Sequence, residues 1–297
     1  MWETAVAFAI WGSYGTVLAS AHVDPILIAI ARSAGLGIAL TAVSAGLARV
    51  RGPREITAAI PWRSTALWLS GSVLLVDEML YAVSAVRGPV AIVGLSYSCV
   101  PLLAPLLSRI AGTDRADAMR TRHWVCLVLA FAGNLMVFAQ LHAARIEFTT
   151  AAVCGFLAGL LFVVMPVCSA ALQQAGLGTW AVLKAQSAVA AVLAGPALAV
   201  AIALGLLQGG DASGVVRRSL EMGAFNAVVF TLTPFYLWYA GIARSGVART
   251  SICVFVEPLV ATLCSLLILK DAPATPLLIG GAALVVCAVA VSARAAD

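Results

Sequence analysis

Four charged side chains stand deep in otherwise apolar runs, Arg32, Asp77, Glu78 and Glu257, and a fifth, Lys184, stands nearer the end of one. A charge at the centre of a lipid-spanning helix costs roughly 2.5–3.5 kcal/mol on insertion scales, so each must serve either function or a buried pair. Glu257 lies mid-run in Gly246 to Ala274, directly before Pro258. It can bind an amine or carry a proton. Equally, it can cap backbone freed by the proline, which has no amide to donate. Asp77 is the second proton-coupling candidate and shares the middle of an apolar run with Glu78. Adjacent helical residues point about 100° apart, so the two acids cannot face one small pocket equally. One can pair with Arg32 while the other meets a cavity. Arg32 is therefore either a ligand for a substrate carboxylate or the partner of one acid. Lys184 is explained by a long stem that snorkels to the interface.

Around these charges stand aromatics. Trp11 and Tyr14 are three residues apart, as are Tyr236 and Tyr239, while Trp238, Tyr81 and Tyr97 complete the set. Residues at that spacing share a helix face. Their rings can hold an ammonium by cation–π contact, or simply pack helices and belt the interface. The expected substrate-binding residues are Asp77, Glu78, Tyr81, Trp11, Tyr14, Arg32, Tyr97 and Tyr239. Acid exceeds base among them, which favours a cationic or zwitterionic small molecule.

The elements that position these groups follow from composition. The 297 residues are 62% hydrophobic and only 10% charged, against about 25% charged in soluble domains. An all-α integral membrane protein follows, since a spanning helix needs roughly 20 apolar residues. Ten spans are expected near 3–20, 25–48, 65–86, 89–110, 122–141, 149–172, 178–206, 220–243, 246–269 and 274–293. The runs are continuously apolar and not alternating, which disfavours a β-barrel. Pro101, Pro166, Pro234 and Pro258 lie inside spans, where they kink helices.

Other classes fit poorly. The seven cysteines lie in apolar runs with no CxxC or Cys/His metal spacing, so they read as small packing residues and no metal is expected. His22, His123 and His142 stand at span ends, which gives an intramembrane enzyme no Ser/His pair at depth and no catalytic residue. No GxxxxGK[ST] motif supports ATP-driven pumping, and no cofactor is expected. Basic residues do not cluster as a nucleic-acid patch. The start lacks the basic region of a cleavable signal, so the first run reads as a retained helix.

Loop arginines set orientation. Arg49, Arg51, Arg54, Arg63, Arg109, Arg115, Arg120, Arg122, Arg244 and Arg294 fall on one side; Arg87, Arg145, Arg217, Arg218 and Lys270 fall on the other. The excess places both termini in the cytoplasm, in a multi-pass protein of the cell membrane. Pro89–Ser108 also parallels the Glu257 run, with Pro101 and Pro258 each eleven residues beyond Val90 and Val247 and Val100 in the place of Glu257. The chain thus reads as a tandem repeat, 1–143 and 144–297. Five spans per repeat invert the second copy, an arrangement of secondary transporters with a site at the repeat interface.

The second half resembles the EamA-like repeat of the drug/metabolite transporter superfamily. Tyr239, Ser245-Gly246, Glu257-Pro258, Leu269 and Gly280-Gly281 carry the likeness, while Lys270-Asp271 replaces the family's Gly-Glu. In the first half, Trp11-Gly12, Arg32 and Tyr81-Ala82 through Pro101 match more loosely. Asp77-Glu78 departs from the family's apolar or aromatic pattern and marks this chain's own substrate. The resemblance implies export of small amino-acid-like or amine metabolites by alternating access. Proton coupling is the natural drive, and a multidrug or quaternary-cation exporter of the same superfamily is the rival reading.

Overall fold

The computed structural model of the chain describes residues 1–51, 60–88, 94, 97–113, 121–139, 150–207, 212–269 and 275–294. The repeat boundary at 143/144 and Val90, Arg54, Arg115, Arg120, Gln140, His142, Arg145, Lys270 and Asp271 lie outside them. Every regular element among the described residues is helical. They are α1 (Trp2–Ser20), α2 (Pro25–Arg51), α3 (Thr65–Arg87), α4 (Val100–Ile110), α5 (Thr121–Ala139), α6 (Thr150–Phe162), α7 (Val164–Gln174), α8 (Thr179–Ala203) and α9 (Ala212–Asn226). A wide π-helical stretch (Ala227–Leu232) leads into α10 (Thr233–Ser251). A tight 3-10 turn (Ile252–Phe255) precedes α11 (Val256–Cys264), which widens again over Ser265–Leu269 before α12 (Pro276–Arg294). In lipid every backbone group must be satisfied internally, and helices do this within one segment.

Among the described residues, five helical segments are long and apolar enough to cross a membrane: Pro25–Gly46, Thr65–Arg87, Thr150–Gln174, Thr179–Ala203 and the long Gly214–Ile268. The last of these runs two expected spans together. They are separated by backbone geometry instead of a loop, because Gly246 sits at φ 80 inside α10, a conformation that favours glycine. The side chains are distributed as in a lipid-embedded bundle. Ile38, Ile110 and Leu267 are 70%, 75% and 74% exposed, while Arg32, Asp77, Glu78 and Glu257 are all buried. Apolar residues face outward and charges face protein, the reverse of a soluble domain.

Helices from the two ends of the chain interleave. α1 packs on α10 and α11, α2 on α8 and α9, α3 on α6 and α8, α4 on α10, and α5 on α12. Small residues permit the close approaches. A Cβ on Gly71 would lie 2.5 Å from Val189, and one on Gly37 would lie 2.6 Å from Ala191. The helix that carries Arg32 is fixed at its start. Asp24 caps α2 by accepting from the amides of Ile26 (2.9 Å) and Leu27 (2.8 Å), and Pro25 takes the first helical position, where a missing amide costs nothing. The Asp24 amide donates to Ser219 Oγ of α9 at 3.0 Å. At the end of the bundle where the chain begins, Arg244 of α10 grips both carboxylate oxygens of Glu3 at 2.6 Å.

Four of the prolines within the expected spans coincide with helix irregularities, while Pro105 and Pro196 stand inside α4 and α8. A proline has no amide for the carbonyl four residues earlier. Counting back from Pro101, Pro166, Pro234 and Pro258 gives Tyr97, Phe162, Phe230 and Val254. At these points the helices turn before α4, break between α6 and α7, widen before α10 and tighten before α11. Tyr97 and Phe162 line the central cavity, and the Phe230 carbonyl lies beside it.

Candidate functional site

The cavity lies at mid-helix depth, where elements from both halves of the chain meet. Trp11 and Tyr14 enter from α1, Arg32 from α2, and Asp77, Glu78 and Tyr81 from α3. Tyr97 precedes α4, Phe162 ends α6, Phe235 opens α10, and Glu257 stands in the first turn of α11. The space enclosed is about 20 Å³, enough for a water molecule and too small for an amino acid.

Arg32 is bound on every nitrogen. Nη1 donates to Glu78 Oε2 in a buried salt bridge, Nε donates to Thr231 Oγ1, and Nη2 donates to the Phe230 carbonyl at 2.8 Å. The guanidinium carbon also lies 4.2 Å from the centre of the Tyr14 ring. The Phe230 carbonyl accepts a second donor, Trp11 Nε1, at 2.8 Å. This is the carbonyl that Pro234 leaves without its usual amide. One proline therefore supplies the acceptor on which α1 and α2 converge, in a π-helical stretch of the kind that recurs at functional sites. A buried arginine needs such company, since leaving it unpaired would cost several kcal/mol.

Asp77 and Glu257 are held differently. Asp77 is 3% exposed and, among the described residues, accepts one hydrogen bond, from Tyr97 Oη at 2.7 Å. Glu257 is also 3% exposed, and its carboxylate has no hydrogen-bond or ion-pair partner among the described residues. Its backbone, by contrast, is clamped from two sides. A Cβ on Gly12 would lie 2.5 Å from the Glu257 carbonyl oxygen, and one on Gly94 would lie 2.9 Å from Pro258 Cα. Only bare backbone fits on either side of the Glu257–Pro258 peptide. The helical neighbours of Glu257 are small and turned inward: Thr250, Cys253 and Ala261 are buried and Cys264 is half-buried. The carboxylate does not take up the capping role that Pro258 made conceivable.

The walls are aromatic. Tyr14 stacks on Tyr81 with centroids 5.3 Å apart, and Tyr81 meets Tyr97 edge-on at 5.7 Å. Trp11 touches Phe235 at 4.8 Å, and Phe162 stacks on Trp238 at 4.9 Å and 8°. Seven of the eight residues expected to bind substrate line the cavity, as does Glu257. Tyr239 does not: it is buried against Phe235 and Trp238, and its carbonyl accepts from Gln173 Nε2 at 2.9 Å. Tyr236 is 43% exposed and meets Trp180 on the outer surface. Sequence reading missed Phe162, Phe235, Thr231 and the Phe230 carbonyl. The prolines carried the signal for two of them: a count of four back from Pro166 and Pro234 lands on Phe162 and Phe230.

The arrangement is a closed, aromatic-walled chamber with three carboxylates and one guanidinium, suited to holding a positive charge. A solved crystal structure shares the fold, with a TM-score of 0.69 and 22% identity over 99% of this chain and 97% of that one. No curated protein matches the sequence. The EamA-like transporter family matches residues 144–294, the half that contains Phe162, Phe235 and Glu257. Multiple apolar helices, a chamber between the two ends of the chain and this match together establish that the protein is a multi-pass membrane protein of the EamA-like transporter family.

Proposed function

We propose that the protein is a secondary carrier that exports small amino-acid-like or amine metabolites by alternating access, in exchange for protons. The observation that carries this reading is the pair of buried carboxylates, Asp77 and Glu257, that line the chamber without a cationic partner among the described residues. Buried charge without a partner is expensive, so an occupant that brings positive charge is favoured. An ammonium group or a proton each does so. Competition between the two for Asp77 and Glu257 would couple their fluxes in opposite directions.

In this reading the chain forms ten spans as two inverted five-helix repeats, 1–143 and 144–297, with both termini cytoplasmic. Support comes from the pairing of early helices with late ones and from a chamber at mid-helix depth, where carriers of this design bind. A space of about 20 Å³ must widen to admit a metabolite. The proline breaks at chamber level and the turn at Gly246 are where the helices can bend. Asp77, Glu78, Trp11, Tyr14, Tyr81, Tyr97 and Arg32 form the substrate site, with Glu257 and Asp77 as the proton carriers. Tyr239 acts one layer away, behind Phe235. The rival reading, export of varied hydrophobic or quaternary cations, is favoured by the aromatic walls.

The test is proton flux into proteoliposomes loaded with a pH dye while amino acids, polyamines and quaternary ammonium compounds are added singly. The expected result is a signal from one or a few compounds, lost in Glu257→Gln and in Asp77→Asn. Responses to many bulky cations would favour the rival. Silence across the panel, with radiolabelled exchange also silent, would sink proton-coupled transport of cations.

A further inference from the structure

We infer that the chamber accepts organic amines that carry no carboxylate, and that the Arg32–Glu78 pair is what excludes amino acids. The inference rests on reading the chamber as the substrate site and narrows its substrate class. An amino acid brings two charges, and each needs a partner once water is left behind. Asp77 and Glu257 can receive the ammonium. The carboxylate would need a cation, and Arg32 is the one cation among the residues that line the chamber.

Arg32 is already engaged. Each of its three nitrogens donates to an acceptor, its one carboxylate partner is Glu78, its guanidinium carbon lies over the Tyr14 ring, and it is 1% exposed. To take a substrate carboxylate it would have to release Glu78. That would leave a third unpaired carboxylate in the same closed space. The exchange gains one ion pair and loses another, and it also sacrifices the geometry anchored on the Phe230 carbonyl. An amine on an aromatic or apolar body asks for none of this. Its ammonium meets Asp77 or Glu257, and its body meets the rings of Tyr81, Tyr97 and Phe162. Arg32 and Glu78 thus act as a specificity pair, a built-in arginine carboxylate that occupies the place a substrate carboxylate would need.

The test compares compounds that differ only in the carboxylate: tyramine with tyrosine, and tryptamine with tryptophan, each alongside the amino acid's methyl ester. Transport is measured in proteoliposomes of the full chain. The amines and the esters, whose carboxylate is masked, are expected to move at least roughly tenfold faster than the parent amino acids, since an unpaired polar group in a dry site discriminates strongly. In Glu78→Gln the guanidinium loses its ionic partner and is left with a positive charge for a substrate carboxylate to balance, and the amine-to-amino-acid ratio is expected to fall at least roughly tenfold. The ester comparison needs only the wild-type protein, so it decides the matter even if that variant does not fold. Equal movement of amines and amino acids, or movement of amino acids alone, overturns the inference and leaves the carrier reading intact. Silence of every pair overturns both.

Discussion

Asp77 and Glu78 are neighbours in one helix, equally deep in the protein, yet they live in opposite circumstances. Glu78 belongs to a knot in which a guanidinium, a threonine hydroxyl, a proline-freed carbonyl and an indole satisfy one another. Asp77 has one phenol, and Glu257 across the chamber has no partner among the described residues. The difference is between charge used to build and charge kept for use. A buried pair whose charges balance fixes a packing, whereas a carboxylate with no cation beside it remains available to a ligand. The contrast teaches that burial alone does not identify a binding residue. What remains unpaired after the protein has satisfied itself is the better guide.

The largest expected effect comes from cutting the knot. Arg32→Ala should strand Glu78 as an uncompensated buried charge and cost about 3–5 kcal/mol. Low folded yield and a strongly lowered melting temperature in detergent are the expected readouts. Arg32→Met combined with Glu78→Leu should recover most of that loss, since an apolar pair of similar volume often replaces a buried ion pair without penalty. If the double variant is no more stable than Arg32→Ala, the knot holds the helices by geometry and not by charge balance, and the contrast with Asp77 weakens.

Much of this contrast is legible in the sequence, and the missing parts have physical reasons. Four charges in apolar runs are unmistakable, because membranes tolerate them only with cause. That the two acids would not face one pocket equally followed from their roughly 100° separation on a helix, which made Arg32 a candidate partner for one of them. Which acid pairs is set by how α2 seats against α3, a tertiary register that no local pattern encodes. Phe235 was invisible because a phenylalanine in an apolar run looks like any core residue, whereas Phe162 stands four residues before Pro166. Tyr239 was misplaced by one layer, since spacing on α10 names a face and not its depth. The Phe230 carbonyl was reachable. Pro234 reads as a kink, and the acceptor it frees lies four residues earlier.

Intermediate effects test the clamp that presents Glu257. Gly94→Ala would push a methyl group to 2.9 Å from Pro258 Cα, and Gly12→Ala would push one to 2.5 Å from the Glu257 carbonyl oxygen. Both neighbours are backbone and cannot swing aside. Overpacking of this kind costs about 1–3 kcal/mol. Transport should fall further than the melting temperature implies, because the displaced atoms carry the unpaired carboxylate. Gly71→Ala offers the control, since its Cβ would meet the Val189 side chain at 2.5 Å, away from the chamber lining. Equal transport defects at equal stability among the three variants would show that the clamp is packing and nothing more.

The smallest stability effect and the sharpest functional contrast are expected at Tyr97. Its hydroxyl makes the 2.7 Å bond to Asp77, and Tyr97→Phe removes that hydroxyl while keeping the ring among its aromatic neighbours. A hydrogen bond to a charged group contributes about 1.5–3 kcal/mol. The net loss should fall at or below the lower end of that range, because a water can enter the chamber in place of the hydroxyl. The consequence for Asp77 is larger than the energy implies. It would become as unpartnered as Glu257, and the two acids would then differ only in position. If Asp77 is a working carboxylate, Tyr97→Phe should change the apparent affinity for an amine by several-fold with little change in melting temperature. The same substitution should leave an Asp77→Asn background almost unaffected. Additive effects of the two changes would mean that the phenol acts on the substrate directly, and Tyr97 would then join the site as a ligand and not as the residue that positions Asp77.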